Sequence, residues 1–304
     1  MDPLSYLVVA ILIGVSPAIF FLWFFYRRDK WEREPRRLVL TIFLFGLVPA
    51  IIVAVVLEEI VGLFIASAAF GAVIAAPIIE EATLWGVVRW RAYNRKEFNE
   101  PLDGLVYGAA AALGFAALEN VLYLLSYGGF TSAFLGEALI RGLLSVPGHA
   151  LSTGTSCFLL GVAKFMPKGL RRYAVIVGGL VLAMVLHATW NSIATFVVPF
   201  NAAAGLLAMI AFAAIAWLLV ANWINVGLNR SPFNPTRWKP LPSAVLGARV
   251  SKVIPPAHFT APARTQGAAR SAEARFCPRC GAPLGAAARF CPECGTPIRT
   301  ETGQ

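Results

Sequence analysis

Two adjacent glutamates, Glu80 and Glu81, follow the apolar run Ala75-Ala76-Pro77-Ile78-Ile79. Three other apolar stretches each carry isolated polar groups: Glu119 in one, His149 in the next, His187 with Asn191 in the third. Carboxylates and imidazoles form an acid–base inventory. Two histidines and a carboxylate can hold a metal or orient a water, while a further glutamate takes a proton and gives it back. An ionisable side chain inside a membrane span costs at least ~2.5–3.5 kcal/mol on insertion scales, so function is its first explanation. The chemistry this set suits is hydrolysis in a wet pocket within the bilayer.

Each group also has a plainer reading. Glu80 and Glu81 lie about ten residues from the following basic loop, roughly 15 Å along a helix, and would then be a helix-end pair reached by water. Adjacent helical residues point about 100° apart, so one glutamate can face a site while its neighbour braces it. His149 or His187 alone would be a buried histidine bonded to a neighbouring span, and Asn191, four residues after His187, stands on the same helix face. Glu58-Glu59 reads as a solvated span end. Counted from the nearest basic loop, Glu119, His149 and His187 sit about fifteen or sixteen residues in, roughly 22–24 Å. Glu80 and Glu81 are shallower by several ångströms, and need the kink at Pro77 or a helix tilt to join them.

The elements that must position these groups are membrane spans. The chain is 58% hydrophobic and only 14% charged, with a mean hydropathy of +0.69, which excludes an ordinary soluble domain. Runs at about residues 4–26, 38–57, 60–88, 102–127, 138–165, 173–198 and 203–226 are each long enough to cross a ~30 Å hydrocarbon core. The expected fold is therefore an all-α multi-span membrane protein of about seven transmembrane helices, followed by a small β-type zinc ribbon. No cleavable signal peptide is expected, because Arg27-Arg28-Asp29-Lys30 follows the first run directly. The net charge of +10 reports topology and not nucleic-acid binding. Nearly all Lys and Arg fall in the loops after the first, third and fifth runs and in the tail, which places the N-terminus outside and the C-terminus in the cytosol. Arg141 stands apart, four residues from Glu137, and suits an i,i+4 pair. Small residues at Gly104, Gly108, Ala112 and Ala116 form a ladder permitting close helix packing, so Glu119 faces protein.

The order Pro-x-x-Glu-Glu (77–81), Gly-Phe-x-x-x-Glu-Asn (114–120), Pro-Gly-His (147–149) and His-x-x-x-Asn (187–191) resembles the PrsW family. These are bacterial intramembrane proteases related to the CAAX-processing and bacteriocin-immunity membrane proteases. The resemblance covers roughly the second to seventh spans. It implies Glu80, Glu81, Glu119, His149 and His187 as catalytic residues, with Asn191 orienting an imidazole or binding substrate. Glu119, His149 and His187 would be the ligands of a catalytic metal, unless glutamate and histidine act on water directly. It also implies a membrane-protein substrate, such as a membrane-bound anti-sigma factor. The chain departs from the family's Glu-Glu-x-x-Lys at Leu84, which removes a cation beside the pair. A proton-coupled transporter with the same residues as a relay, or an inactive membrane scaffold, are the rival readings.

Three domains follow: a membrane domain over 1–229, a disordered Pro/Ala-rich linker over 230–274, and a metal module over 275–299. Cys277-Pro278-Arg279-Cys280-Gly281 and Cys291-Pro292-Glu293-Cys294-Gly295 are matching knuckles. Four thiolates at this spacing suit tetrahedral Zn2+, and cytosolic placement disfavours disulfides. Arg275, Arg279 and Arg289 would suit an acidic cytosolic partner or the anionic leaflet. Cys157, alone in an apolar run, reads as a small packing residue. So short a module owes most of its folding to the metal. The ribbon is therefore expected to unfold when Zn2+ is chelated, read by amide NMR on residues 275–299; a ribbon that stays folded and metal-free in EDTA would overturn the assignment.

Overall fold

The structure, a computed structural model, describes residues 2–235 and the two segments Arg275–Phe276 and Pro283–Leu284. Among the described residues seven long helical rods follow one another: α1 (Pro3–Arg28), α2 (Arg36–Phe64), α3 (Ala68–Arg91), α4 (Pro101–Ser126), α5 (residues 132–164), α6 (Leu170–Phe200) and α7 (Ala202–Arg230). All but α5 are long and apolar enough to cross a membrane by length and composition. The reason for the exception is position. From Val146 to Lys164 nearly every residue of α5 is buried by other helices, including Ser152, Thr153, Thr155 and Ser156, so its surface does not have to match lipid. Thr155 donates to the Leu151 carbonyl and Ser156 to the Thr153 carbonyl, at 2.8 and 2.9 Å, which satisfies both hydroxyls within the helix.

Helix starts are fixed by short polar caps. Asp2, Ser67, Thr131 and Asn201 accept backbone N–H bonds from Ser5, Phe70, Phe134 and Ala204. Gly128 closes α4 with φ of +65°, where a side chain would be strained. One boundary differs from expectation. The second helix does not stop at Glu58-Glu59 but runs on to Phe64, and the break falls at residues 65–67. A charge pair reads as a span end in the sequence, whereas Glu58 lines an internal cavity and the helix carries it.

Helix α4 is the axis of the bundle, with 83% of its most apolar window buried. It packs on α5 and on α2 at near-backbone contact. A Cβ on Gly104 would lie 2.0 Å from the Cys157 carbonyl oxygen, and one on Gly114 would lie 2.0 Å from the Phe43 carbonyl oxygen. Cys157 is fully buried at this contact.

A shared device shapes α3, α5 and α6. In each, a widened turn precedes a proline by two residues: Gly71–Ala75 before Pro77, Arg141–Ser145 before Pro147, Ile193–Val197 before Pro199. The residue just before each proline bonds five residues back, Ala76 to Gly71, Val146 to Arg141 and Val198 to Ile193. Proline has no N–H and its ring crowds the carbonyl four residues earlier. Widening the preceding turn relieves that clash without ending the helix.

In the separate C-terminal unit, β1 (Arg275–Phe276) pairs antiparallel with β2 (Pro283–Leu284), Arg275 opposite Leu284. The chain between these strands carries Cys277 and Cys280; all four clustered cysteines, and the expected linker beyond residue 235, lie outside the described residues.

The glycine contacts give a direct test. Gly104→Ala meets a backbone carbonyl that cannot yield and is expected to destabilise the protein by about 1–3 kcal/mol or more, as overpacking does. Gly86→Ala, where nothing lies within 4 Å, is expected to be neutral or stabilising. Thermal melts in detergent that fail to separate the two would refute the close contact of α4 and α5.

Candidate active site

Glu81 is the braced member of the glutamate pair. It is fully buried, its Oε2 accepts from Thr153 Oγ1 at 2.9 Å, and its Oε1 lies 3.1 Å from His187 Nδ1. A carboxylate oxygen accepts here, so Nδ1 carries a proton and Nε2 is the ring nitrogen turned toward Glu80. That Nε2 lies 3.8 Å from Glu80 Oε2. Glu80 faces a cavity of about 520 Å³ lined also by Glu58, Glu119, Arg141, His149, His187 and Asn191.

The depth mismatch counted along the chain closes through side-chain direction. Helical Cα–Cβ bonds lean toward the helix N-terminus. Because α3 and α6 run in opposite directions, the Glu80 and Glu81 carboxylates reach one way along the axis and the His187 imidazole reaches the other. Asn191 fixes the register of the pair. The Ala76 N–H is bonded to Gly71 and Pro77 has none, which leaves the Ala72 carbonyl without a helical donor. Asn191 Nδ2 donates to that oxygen at 2.8 Å.

A second chain of contacts runs from α5 to α4. His149 Nε2 lies 3.0 Å from Glu119 Oε2, and Arg141 Nη2 lies 2.7 Å from the same oxygen. Arg141 Nε donates to Asn120 Oδ1 at 2.7 Å, and its guanidinium lies 3.8 Å from the centre of the Tyr123 ring. Its contact with Glu137, 3.7 Å, is longer than those with Glu119 and Asn120. The two chains meet where the His149 and His187 rings stand edge to face, 4.9 Å apart.

Glu80, His149 and His187 each offer one ligand atom, all within 4.8 Å of one another. The sequence-based set has Glu119 with the two histidines; the group within 4.8 Å has Glu80 with them, and Glu119 lies against His149 and Arg141. Glu80 Oε2 and His149 Nδ1 are buried without a hydrogen-bond partner. Two imidazoles and a carboxylate with bare donor atoms fit the zinc class of metal. Leu84, at the family's lysine position, is fully buried in the apolar core. Among the described residues no Lys or Arg pairs with Glu80 or Glu81.

Arg141, Asn120, Thr153 and Glu58 join the site without having been singled out for it. Arg141 had a signal, as a lone cation among the spans, but was assigned to Glu137. Glu58 had one too, a charge next to apolar sequence. Thr153 had none, since a threonine in a small-residue helix is ordinary. Removing Arg141 would leave Glu119 charged with only His149 beside it. Glu119 is 19% exposed to the cavity, so Arg141→Gln is expected to cost about 2–3 kcal/mol, below the ~3–5 kcal/mol of a fully buried pair. Adding Glu119→Gln should restore most of the melting temperature; no restoration would mean that the pair does not carry the effect.

Comparison with known proteins shows the family. Residues 34–219 match the model of the PrsW family of intramembrane metalloproteases, and residues 276–298 match a zinc-ribbon domain. A protein from Geobacillus kaustophilus named Protease PrsW is 43% identical over 165 residues, 53% of this chain and 69% of its own length. One from Bacillus subtilis with the same name is 35% identical over 60% of this chain and 81% of its own. One from Clostridioides difficile, also so named, is 22% identical over 72% and 92%. No solved structure matches. With five helices delivering acids and imidazoles to one cavity and the family match spanning α2 to α7, this multi-pass membrane protein belongs to the PrsW family of intramembrane proteases.

Proposed function

We propose that the chain hydrolyses a peptide bond of a membrane-associated protein, with an anti-sigma-type regulator as the model substrate, at the cavity between α2, α3, α4, α5 and α6. The observation that carries this is the convergence of Glu80, Glu119, His149 and His187 on one hollow, with Glu81 fixing an imidazole from behind. Glu80, whose Oε2 is bare, takes a proton from water and returns it to the leaving amine. Glu81 holds His187 in the tautomer that presents Nε2, and Glu119 with Arg141 orients His149. Asn191 keeps α3 and α6 in register.

Glu80, His149 and His187 are the residues that would hold the family's metal, which when bound would act as a Lewis acid on the scissile carbonyl. With Glu80 so engaged, Glu119, the cavity carboxylate next to His149, would carry the proton. The cavity lies toward the connections at 65–67, 127–131 and 201, the end away from the basic loops. Under the charge rule that end faces outside, so the bond cut lies in the outer half of the bilayer or just beyond it. Cys277, Cys280, Cys291 and Cys294 hold Zn2+ in a cytosolic ribbon that docks a partner or regulates the membrane domain.

The test is co-expression with epitope-tagged single-span proteins, following cleavage by immunoblot. Glu80→Gln, Glu81→Ala, Glu119→Ala and His187→Ala are each expected to lower cleavage by about a hundredfold or more, with the protein still in the membrane. Cleavage retained by all four would remove this site from consideration.

A further inference from the structure

At the other end of α4, roughly 24 Å from Glu119 by helix rise, lies a second convergence of acids. Asp29 and Glu34 come from the α1–α2 connection and Asp103 from the first turn of α4. All three are nearly inaccessible, at 0, 2 and 0% exposure, and one oxygen from each lies within 4.8 Å of those of the other two. In each carboxylate the protein fixes one oxygen and leaves the other bare. Asp29 Oδ1 accepts from the Glu32 N–H at 3.3 Å, and Oδ2 has no partner. Glu34 Oε2 accepts from the Tyr107 hydroxyl, and Oε1 has none. Asp103 Oδ2 accepts from the Asn99 and Glu100 N–H groups at 2.6 and 2.8 Å, and Oδ1 has none. No Lys or Arg pairs with any of them among the described residues. The nearby Lys164 ammonium is spent on the carbonyls of Tyr93 and Phe98, 2.6 Å each.

We propose that Asp29, Glu34 and Asp103 bind one hard divalent cation, of the Mg2+ or Ca2+ class, joining the α1–α2 connection to the start of α4. An all-oxygen set selects hard cations over zinc. Fixing one oxygen by backbone or tyrosine donors is how supporting groups orient metal-binding carboxylates. The competing occupant is a proton shared between Glu34 and Asp103, which also lie within hydrogen-bonding reach.

The test uses the full chain, zinc-loaded and in detergent, carrying Glu80→Gln and His149→Ala so that the cavity cannot compete, with Mn2+ as a paramagnetic probe. About one Mn2+ per chain should bind, be displaced by excess Mg2+ or Ca2+, and lose roughly tenfold or more in affinity in Asp103→Asn and in Glu34→Gln. Glu34→Gln mimics a protonated acid, so it keeps the fold if protons alone hold the cluster; Asp29→Asn serves if Asp103→Asn does not fold. No bound Mn2+ at millimolar concentration overturns the proposal, and so does binding that the substitutions leave unchanged. Because the parent variant lacks two cavity residues, the result stands independently of the protease reading.

Discussion

A charge held out of water has to be answered by another charge or a donor, and that requirement organises this protein. Glu119 is answered twice, by Arg141 and by His149. Glu81 is answered by Thr153 and His187, one for each oxygen. These answers cross between helices, so they also fix how α3, α4, α5 and α6 are rotated about their axes. Burying such pairs adds little net stability, because desolvation offsets most of the Coulomb gain. What they contribute is a single arrangement in which Glu80 Oε2 and His149 Nδ1 are left buried without a hydrogen-bond partner, on residues that line the cavity. Unanswered groups in a network that is otherwise satisfied are where chemistry is expected.

The scaffold that allows this is built from backbone features and not from large side chains. Gly104 and Gly114 let α4 touch the backbones of α5 and α2, which puts Glu119 within reach of residues on α5 instead of in lipid. The proline-linked wide turns lie close to each polar group: Pro77 three residues before Glu80, Pro147 two before His149, and the turn Ile193–Val197 just after Asn191. A proline in a membrane helix leaves a carbonyl that must find a donor. At Ala72 that donor is Asn191, so a local defect in α3 becomes a contact with α6.

The polar groups of the site were legible in the sequence because their background is so apolar. An acid or imidazole in an otherwise hydrophobic run stands out without any alignment, and Glu80, Glu81, Glu119, His149, His187 and Asn191 were all found that way. The spans were legible for the same reason, except where charge misled: Glu58 sits inside α2, not at its end. Partner choice was not legible. Arg141 has Glu137 four residues away along its own helix, yet its closer contacts are to Glu119 and Asn120 on α4. Spacing reports which residues share a face, but helix rotation decides what the face meets. The closeness of Glu80 to both histidines has the same origin. Counting depth by residues also failed by several ångströms, because it locates Cα atoms while the chemistry happens at the ends of side chains that lean in opposite directions.

Leu84 shows what the missing lysine of the family motif does to this balance. Position 84 is four residues after Glu80, and a lysine there would lean back toward the helix N-terminus, onto the glutamate. Glutamate followed by lysine at this spacing is the favourable order for an ion pair. Such a pair would occupy Glu80, whose Oε2 has no hydrogen-bond partner here. With leucine, that position instead packs in the apolar core, and His187 alone remains beside both carboxylates. The leucine therefore removes a competitor for Glu80, whose carboxylate lines the cavity with an oxygen that no donor satisfies.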